Sequence, residues 1–395
     1  MSGLLPVEEA QARLLALAKR LPAETLSLTT ALGRYLAAPL AALRTQPAAA
    51  LSAMDGYAIR FADLPGPWQQ VGSIAAGSWP ETGIAPGETM RIFTGAPLPE
   101  GADTVLVQED ASATDGKIAL TGSGPAALGQ HVRAAGSDFF GGADLAAAGA
   151  RVSPGLVALA AMAGHSSFTV GRAPRVALIS TGDELVDPGA PLARGQIPDS
   201  NAPMLTALLT AVPAQIGAIV RIGDDRAATI AAIDQAAATH DVIVTLGGAS
   251  VGDHDHVHAA MTSLGAPPAF WKIAMRPGKP LLAGRVGNAV LLGLPGNPAS
   301  AFVTAQLFLL PLLRHLAGAN MPLPEAAHAT LAAPLEAGGP RRDYLRAIVA
   351  DGRITPFAAQ DSGRTIALAN ANALLVRDIG DPPQPAGALA PYIAL

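Results

Sequence analysis

The chain has no cysteine. Disulfides, cysteine-ligated zinc and thiolate catalysis are therefore excluded, and any sulfur chemistry has to be carried by a substrate. Aromatic residues are scarce as well, at 4% of 395 residues, while glycine and proline number 42 and 34. A core of small aliphatic side chains with many tight turns follows. Charge is thin too: 14% of residues, with a net of -5 at pH 7, give no basic field of the kind a nucleic acid requires, so anionic ligands have to be met locally. The N-terminus lacks a basic segment leading into an apolar stretch and a small-residue cleavage site, which predicts a cytoplasmic protein. No membrane span is expected. The most apolar stretch, 299–313, is shorter than the ~20 residues that cross a bilayer and contains Gln306 and Pro311, so it reads as a buried helix.

The length suits two to four units. Apolar spacing over 7–19 predicts a helix, and 27–40 a second helical or short mixed segment. From about 45 the chain changes to short Val/Ile runs between glycines and prolines, such as Tyr57-Ala58-Ile59-Arg60 and Thr104-Val105-Leu106-Val107, the pattern of strands joined by tight turns. Ser153-Pro154 then supplies an N-cap and first helical residue, so the first unit resumes after a β insertion. Strands at 175–180, 216–222, 241–246, 270–274 and 289–294 alternate with helices at 203–212, 227–238, near 255 and from 298, as in a parallel sheet covered on both faces. Strand-like runs return after 322. The expected fold is α/β plus β, an elongated multidomain chain with a central parallel α/β sandwich. Its expected units are 1–44 with 139–173, a β-rich insertion over 45–138, the α/β unit over 174–320 and a C-terminal β unit over 321–395.

Ligands of open α/β sheets bind beyond the carboxyl ends of the strands. Three such loops stand out: Ser180-Thr181-Gly182-Asp183-Glu184, Gly247-Gly248-Ala249-Ser250-Val251-Gly252 and Leu294-Pro295-Gly296-Asn297-Pro298. The second brings bare amides and the Ser250 hydroxyl near an anion, and the third opens a helix N-terminus. Either loop alone is more often simple turn chemistry, and it is their co-occurrence at matching strand ends that favours a ligand. Asp253-His254-Asp255-His256-Val257-His258 invites a metal, with a Mg²⁺ contact through a single carboxylate favoured over a histidine site; the plainer reading is a solvated helix start. Lys272, Arg276 and Lys279 concentrate positive charge after a strand and suggest anion recognition, against a solvated basic loop. Met54-Asp55-Gly56-Tyr57 and Phe93-Thr94-Gly95-Ala96 read as turns at strand ends.

Six segments resemble, in chain order, the signatures of the bacterial MoeA proteins and the gephyrin E domain: Ser52 to Ala58, Phe93 to Pro99, Ser180 to Leu185, Gly247 to Asp255, Arg276 to Pro280 and Leu294 to Ala301. The resemblance covers nearly the whole chain. It implies a four-domain homodimer whose cleft lies between the α/β and C-terminal domains of one subunit and the β domain of the other. Asp55, Thr94, Arg133 and Asp138 would then reach across the dimer. Glu184, Asp225 (taken over its neighbour Asp224) and Asp255 would supply carboxylates. Gly247, Gly248, Ser250 and Gly252 would lie beside the substrate, as would Pro295, Asn297, Pro298 and Ser300. Lys272, Arg276 and Lys279 would hold anionic groups, and Arg341, Arg346 and Ser362 would stand on the cleft wall, a structural ion-pair role being as open for the arginines.

The implied reaction joins adenylylated molybdopterin and molybdate to give molybdenum cofactor and AMP, with Mg²⁺ at Asp255 and Zn²⁺ as second choice. A separate adenylyltransferase would deliver the substrate. Two departures from the family pattern, His256 with His258 and Ile366-Ala367 in place of a Ser-Ser pair, put the substrate contacts near them in doubt. The alternatives are an adenylyltransferase, which would consume ATP, and a non-catalytic scaffold, which would bind without turnover.

Overall fold

A computed structural model of the protein describes residues 4–248 and 256–395. Its middle layer is a six-stranded sheet built from β1 (Arg175–Thr181), β2 (Gln215–Ile222), β3 (Val242–Leu246), β4 (Phe270–Trp271), β5 (Leu282–Val286) and β6 (Ala289–Leu294), in the order β2-β1-β3-β6-β5-β4. The first four are parallel, while β5 runs against β6 and β4 against β5. Every residue of β3 and β6 is buried, the expected consequence of unbroken aliphatic runs covered on both faces. Helices α1 (Asn201–Leu209), α2 (Arg226–Ala237) and α3 (His256–Ser263) provide that cover. α1 packs on one face with Leu205 and Leu209, whereas Ile233 of α2 and Met261 of α3 fill the other. The chain steps outward from β1 to β2 and then back past β1 to β3, which opens a crevice at the carboxyl ends of β1 and β3.

The long helix expected from residue 298 is present but not uniform. It is α-helical over Pro298–Thr304, widens to a π-helix over Ala305–Leu309 and resumes over Leu310–Leu316. Pro311 is the physical reason, since it has no N–H to give to the Leu307 carbonyl and its ring crowds the preceding turn. Gln11, from the helix Val7–Ala16, donates its Nε2 to that carbonyl at 2.8 Å inside the core. Val7, Ala10 and Leu14 of the same helix join the cluster on the α1 face. The first helix therefore packs on the α/β layer rather than with 23–44 and 139–173. Pro298–Leu316 is, among the described residues, the one helix long and apolar enough to cross a membrane, and 78% of its apolar window is buried in the fold.

Strand Ala23–Ser27 pairs with Ser167–Gly171, and Leu40–Ala41 with Asp144–Ala146, so segments on either side of the inserted sheet meet. The stretch expected as helical or mixed over 27–40 forms turns and bridges without a helix. The inserted sheet orders Thr104–Val107, Gly56–Ile59, Glu88–Ile92, Trp68–Ile74, Lys117–Leu120 and Ala111–Thr114. The C-terminal strands Arg342–Ala350, Arg353–Pro356, Ala327–Leu331, Leu389–Ala394 and Ala373–Arg377 pair in that order, and the last returns to the first, closing a barrel. Met275–Arg276 leaves the α/β layer and runs parallel to Arg342–Ala350. The sequence suggests one strand over 270–274; only Phe270–Trp271 forms a strand there, and pairing resumes at Met275–Arg276 in the other sheet.

Gln11→Ala removes the donor and leaves the Leu307 carbonyl unpaired in an apolar core, a change worth about 1–3 kcal/mol. We expect a lower denaturant midpoint with an unchanged slope; an unchanged midpoint would show that the bond contributes nothing.

Candidate functional site

A cleft of about 450 Å³ lies over the carboxyl ends of β1, β3 and β6, lined by Thr181, Gly182 and Glu184 after β1, Gly247 and Gly248 after β3, and Gly296, Asn297 and Pro298 after β6. The three loops picked out in the sequence thus converge. Gly247 and Gly248 take φ of +99° and +63°, and a Cβ on Gly247 would stand 2.9 Å from the Thr181 hydroxyl. Glycine there keeps the floor open and lets the backbone approach a ligand. Pro295 and Ser300 are buried behind this surface. Ser250, Gly252 and Asp255 lie outside the described residues, as does His254.

The fourth wall is the turn ahead of α1, which the sequence reading did not single out. The Asp199 carboxylate accepts from the Ser180 hydroxyl at 2.5 Å and from the amides of Asn201 and Ala202 at 3.0 and 3.2 Å. Asn201 in turn donates Nδ2 to the Gly296 carbonyl at 2.6 Å, and its Oδ1 is buried without a partner. Asp199, Ser200 and Asn201 all line the cleft. The signal is Asp-Ser-Asn, a run of good capping residues that a helix start at 203 passes over.

Three carboxylates face the cleft, Glu184, Asp199 and Asp224, and no lysine or arginine does among the described residues. Asp199 is occupied as above. Asp183 accepts from the Asp224 amide at 3.0 Å and so holds the turn that presents Asp224. Asp225, taken over Asp224 in the sequence, does not line the cleft: its Oδ1 accepts from the Ala228 amide at 2.6 Å, capping α2. Sequence chemistry favours neither neighbour, because only the helix start decides which aspartate becomes the cap. Among the described residues no group of three or more His, Asp or Glu side chains is gathered closely enough to hold one ion.

The cations cluster where the α/β layer meets the barrel. Lys272 has φ +71° and sets its Nζ 4.3 Å from the centre of the Trp271 ring. Trp271 in turn meets the His258 imidazole, with ring centres 5.2 Å apart. Arg276 Nε pairs with Asp343 on the adjacent barrel strand at 2.9 Å, and Arg341 reaches the Met275 carbonyl at 3.5 Å. Lys279 is exposed. Arg346 is wholly buried: Nη2 donates to the Asp361 carbonyl at 3.1 Å, whereas Nε and Nη1 have no partner. Burial favours its neutral form, with Asp361 opposing. Ser362 accepts the Ala299 amide through its carbonyl at 3.1 Å, joining the helix after Pro298 to the barrel.

Asp55 and Thr94 meet in the inserted sheet, where the Thr94 amide and hydroxyl both donate to Asp55 Oδ1 at 2.8 Å. The backbone bond, then the hydroxyl bond, hold the Asp55 carboxyl below the usual aspartate range. Arg133 and Asp138 are exposed. None of these four lines the cleft.

Residues 5–164 match a family model described as the MoeA N-terminal region (domain I and II), 177–315 one described as a probable molybdopterin binding domain, and 328–395 one described as the MoeA C-terminal region (domain IV). The molybdopterin molybdenumtransferase of Bacillus subtilis (strain 168) is 34% identical over 388 residues, covering 94% of this chain and 90% of that one. That of Nostoc sp. is 36% identical over 375 residues, covering 91% and 85%. The molybdopterin biosynthesis MoeA protein of Pyrococcus horikoshii has a similar structure, with a TM-score of 0.82 at 28% identity and 99% of each chain covered.

The two neighbouring aspartates are separable. Asp225→Ala removes a helix cap worth about 0.5–2 kcal/mol and lowers the melting temperature. Asp224→Asn leaves melting unchanged and alters AMP binding measured by calorimetry; the reverse pattern would reject the assignment.

Proposed function

Because this chain belongs to the MoeA family, whose curated relatives are molybdopterin molybdenumtransferases, we propose that it moves molybdenum from molybdate onto adenylylated molybdopterin and releases AMP. It is a transferase of molybdenum cofactor biosynthesis acting on molybdopterin. The observation that carries the finer reading is the pairing of an open, glycine-floored cleft at the switch point of the sheet with a buried, part-unpartnered guanidinium in the adjoining barrel. The cleft suits the nucleotide end of the substrate. Arg346 suits molybdate, a tetrahedral dianion, since buried donors without partners point to a missing acceptor. Lys272, Arg276, Lys279 and Arg341 stand between the two as charge for the phosphates.

In the overall reaction two Mo–S bonds form to the dithiolene and two Mo–O bonds break, their oxygens leaving as water. One water is consumed as the P–O–P link to AMP is cleaved, so one water is released net. The cleft donors fit a hard divalent cation: Glu184 and Asp224 are exposed carboxylates with no hydrogen bond or ion pair to their side chains among the described residues. Oxygen donors suit Mg²⁺ better than Zn²⁺, which favours imidazole and thiolate. We assign Mg²⁺ to Glu184, Asp224 and Asp255, where it would neutralise phosphate charge. Asn201 and the Gly247–Gly248 backbone orient the nucleotide, and the dry position of Arg346 strengthens its attraction for an anion.

We further place Asp55, Thr94, Arg133 and Asp138 in the cleft of a partner subunit, making the enzyme a homodimer, and the protein in the cytoplasm. A separate adenylyltransferase would supply the substrate. Both of the central proposals meet in one assay of AMP release and cofactor formation from adenylylated molybdopterin, molybdate and Mg²⁺. Wild type turns over, while Asp255→Ala and Asp55→Asn are each slowed at least ~100-fold. Dimers assembled from a mixture of the two variants recover about a quarter of wild-type activity, because half are mixed and each of these carries one intact site. No AMP from wild type would leave a binding protein, and no recovery in mixed dimers would reject the shared site.

A further inference from the structure

A second cavity, of about 560 Å³, lies in the C-terminal barrel beneath the helix Thr365–Asn370. Its walls are mostly apolar, from Phe357 to Ala359 and Ile366 with Ala367, and its polar side chains are Arg364 and Thr365. Ile366 is 79% exposed at its rim. The Arg364 guanidinium makes no hydrogen bond or ion pair among the described residues, which leaves its flat face and its charge free. Such a cavity has the size of a small-molecule site, roughly 300–1,000 Å³, and one cation set against apolar walls suits a flat ring bearing a carbonyl oxygen.

Two contacts fix its relation to the rest of the site. The Ala299 amide bonds to the Ser362 carbonyl at 3.1 Å, while Pro298 lines the cleft and Gly363 lines the cavity. The two spaces therefore lie on opposite sides of one joint. The Phe357 amide bonds to the Arg346 carbonyl at 3.0 Å, and Arg346 Nη2 bonds to Asp361, so the part-unpartnered guanidinium sits directly under the loop that walls the cavity. In molybdopterin the pyran ring carries both the dithiolene and, on the neighbouring carbon, the phosphomethyl group, while the pterin extends from the far side of that ring. Sulfurs that must meet an oxyanion at Arg346 keep that ring system within about one ring length of it.

We propose that this cavity holds the pterin of adenylylated molybdopterin, with the nucleotide end lying across the Ala299–Ser362 joint in the cleft. The proposal rests on the transferase reading above. Phe357 and Ile366 cover the faces of the ring and Arg364 meets its polar edge. The reacting sulfurs are thereby held at the joint between the two spaces.

The test is equilibrium binding of adenylylated molybdopterin and, separately, of AMP to the full-length protein. Ile366→Trp fills the cavity from an exposed position that the fold does not need, and Phe357→Ala removes a wall. Each should weaken the adenylylated pterin about tenfold, roughly one stacking contact, and leave AMP within about twofold. Equal losses for both ligands, or wild-type binding of the pterin by both variants, would overturn the subsite while leaving the transferase reading intact. A wild-type protein that binds neither ligand removes both together.

Discussion

The Asp199 carboxylate accepts from Ser180 at the end of β1 and from the first amides of α1, while Asn201, one residue into that helix, grips the Gly296 carbonyl beyond β6. Strand end, helix start and loop are thus tied around one buried turn. Three donors satisfy the carboxylate and hold the side chain in one orientation. Without that anchor the three glycine-bearing loops would have no common frame, and a cleft built largely from bare backbone cannot hold its own shape.

A second constraint joins the cleft to the barrel. The chain leaves the α/β sheet after Trp271, turns through a left-handed residue at Lys272 and enters the barrel sheet at Met275–Arg276. The positive charges between 272 and 279 are consequently placed by backbone pairing on both sides rather than carried on a free loop. Arg276 and Asp343 reinforce the same seam. The exposure of Arg276 limits what that pair adds to stability, and its value lies in aiming a side chain.

The sheet was legible in the sequence because its strands are continuous aliphatic runs and its helices recur at regular intervals; Val242–Leu246 and Ala289–Leu294 lie within a residue of where the pattern put them. The converging loops were legible for the same reason, since strand ends in a parallel sheet share one edge. Long-range partners were not. Nothing local distinguishes Asp224 from Asp225, and nothing near Gln11 announces that its partner is a carbonyl 296 residues away. Arg346 could be weighed only as a wall residue or an ion pair, whereas its two unpartnered nitrogens depend on how the barrel closes. The division of 270–276 between two sheets was invisible because each piece is only two residues long.

The first helix joins distant parts of the chain. Gln11 satisfies a carbonyl that Pro311 orphans, Leu14 lies in the face shared with Phe308 and Leu312, and Glu8 pairs with Arg342 of the barrel, which also holds Asp378. The polypeptide is thereby fastened like a clasp, its opening turn locked onto its later layers. Proteolytic cutting of a loop in the intervening inserted sheet would sever the covalent chain yet leave the pieces migrating together under native conditions, and excision of 174–320 alone would yield a fragment with an uncovered apolar face.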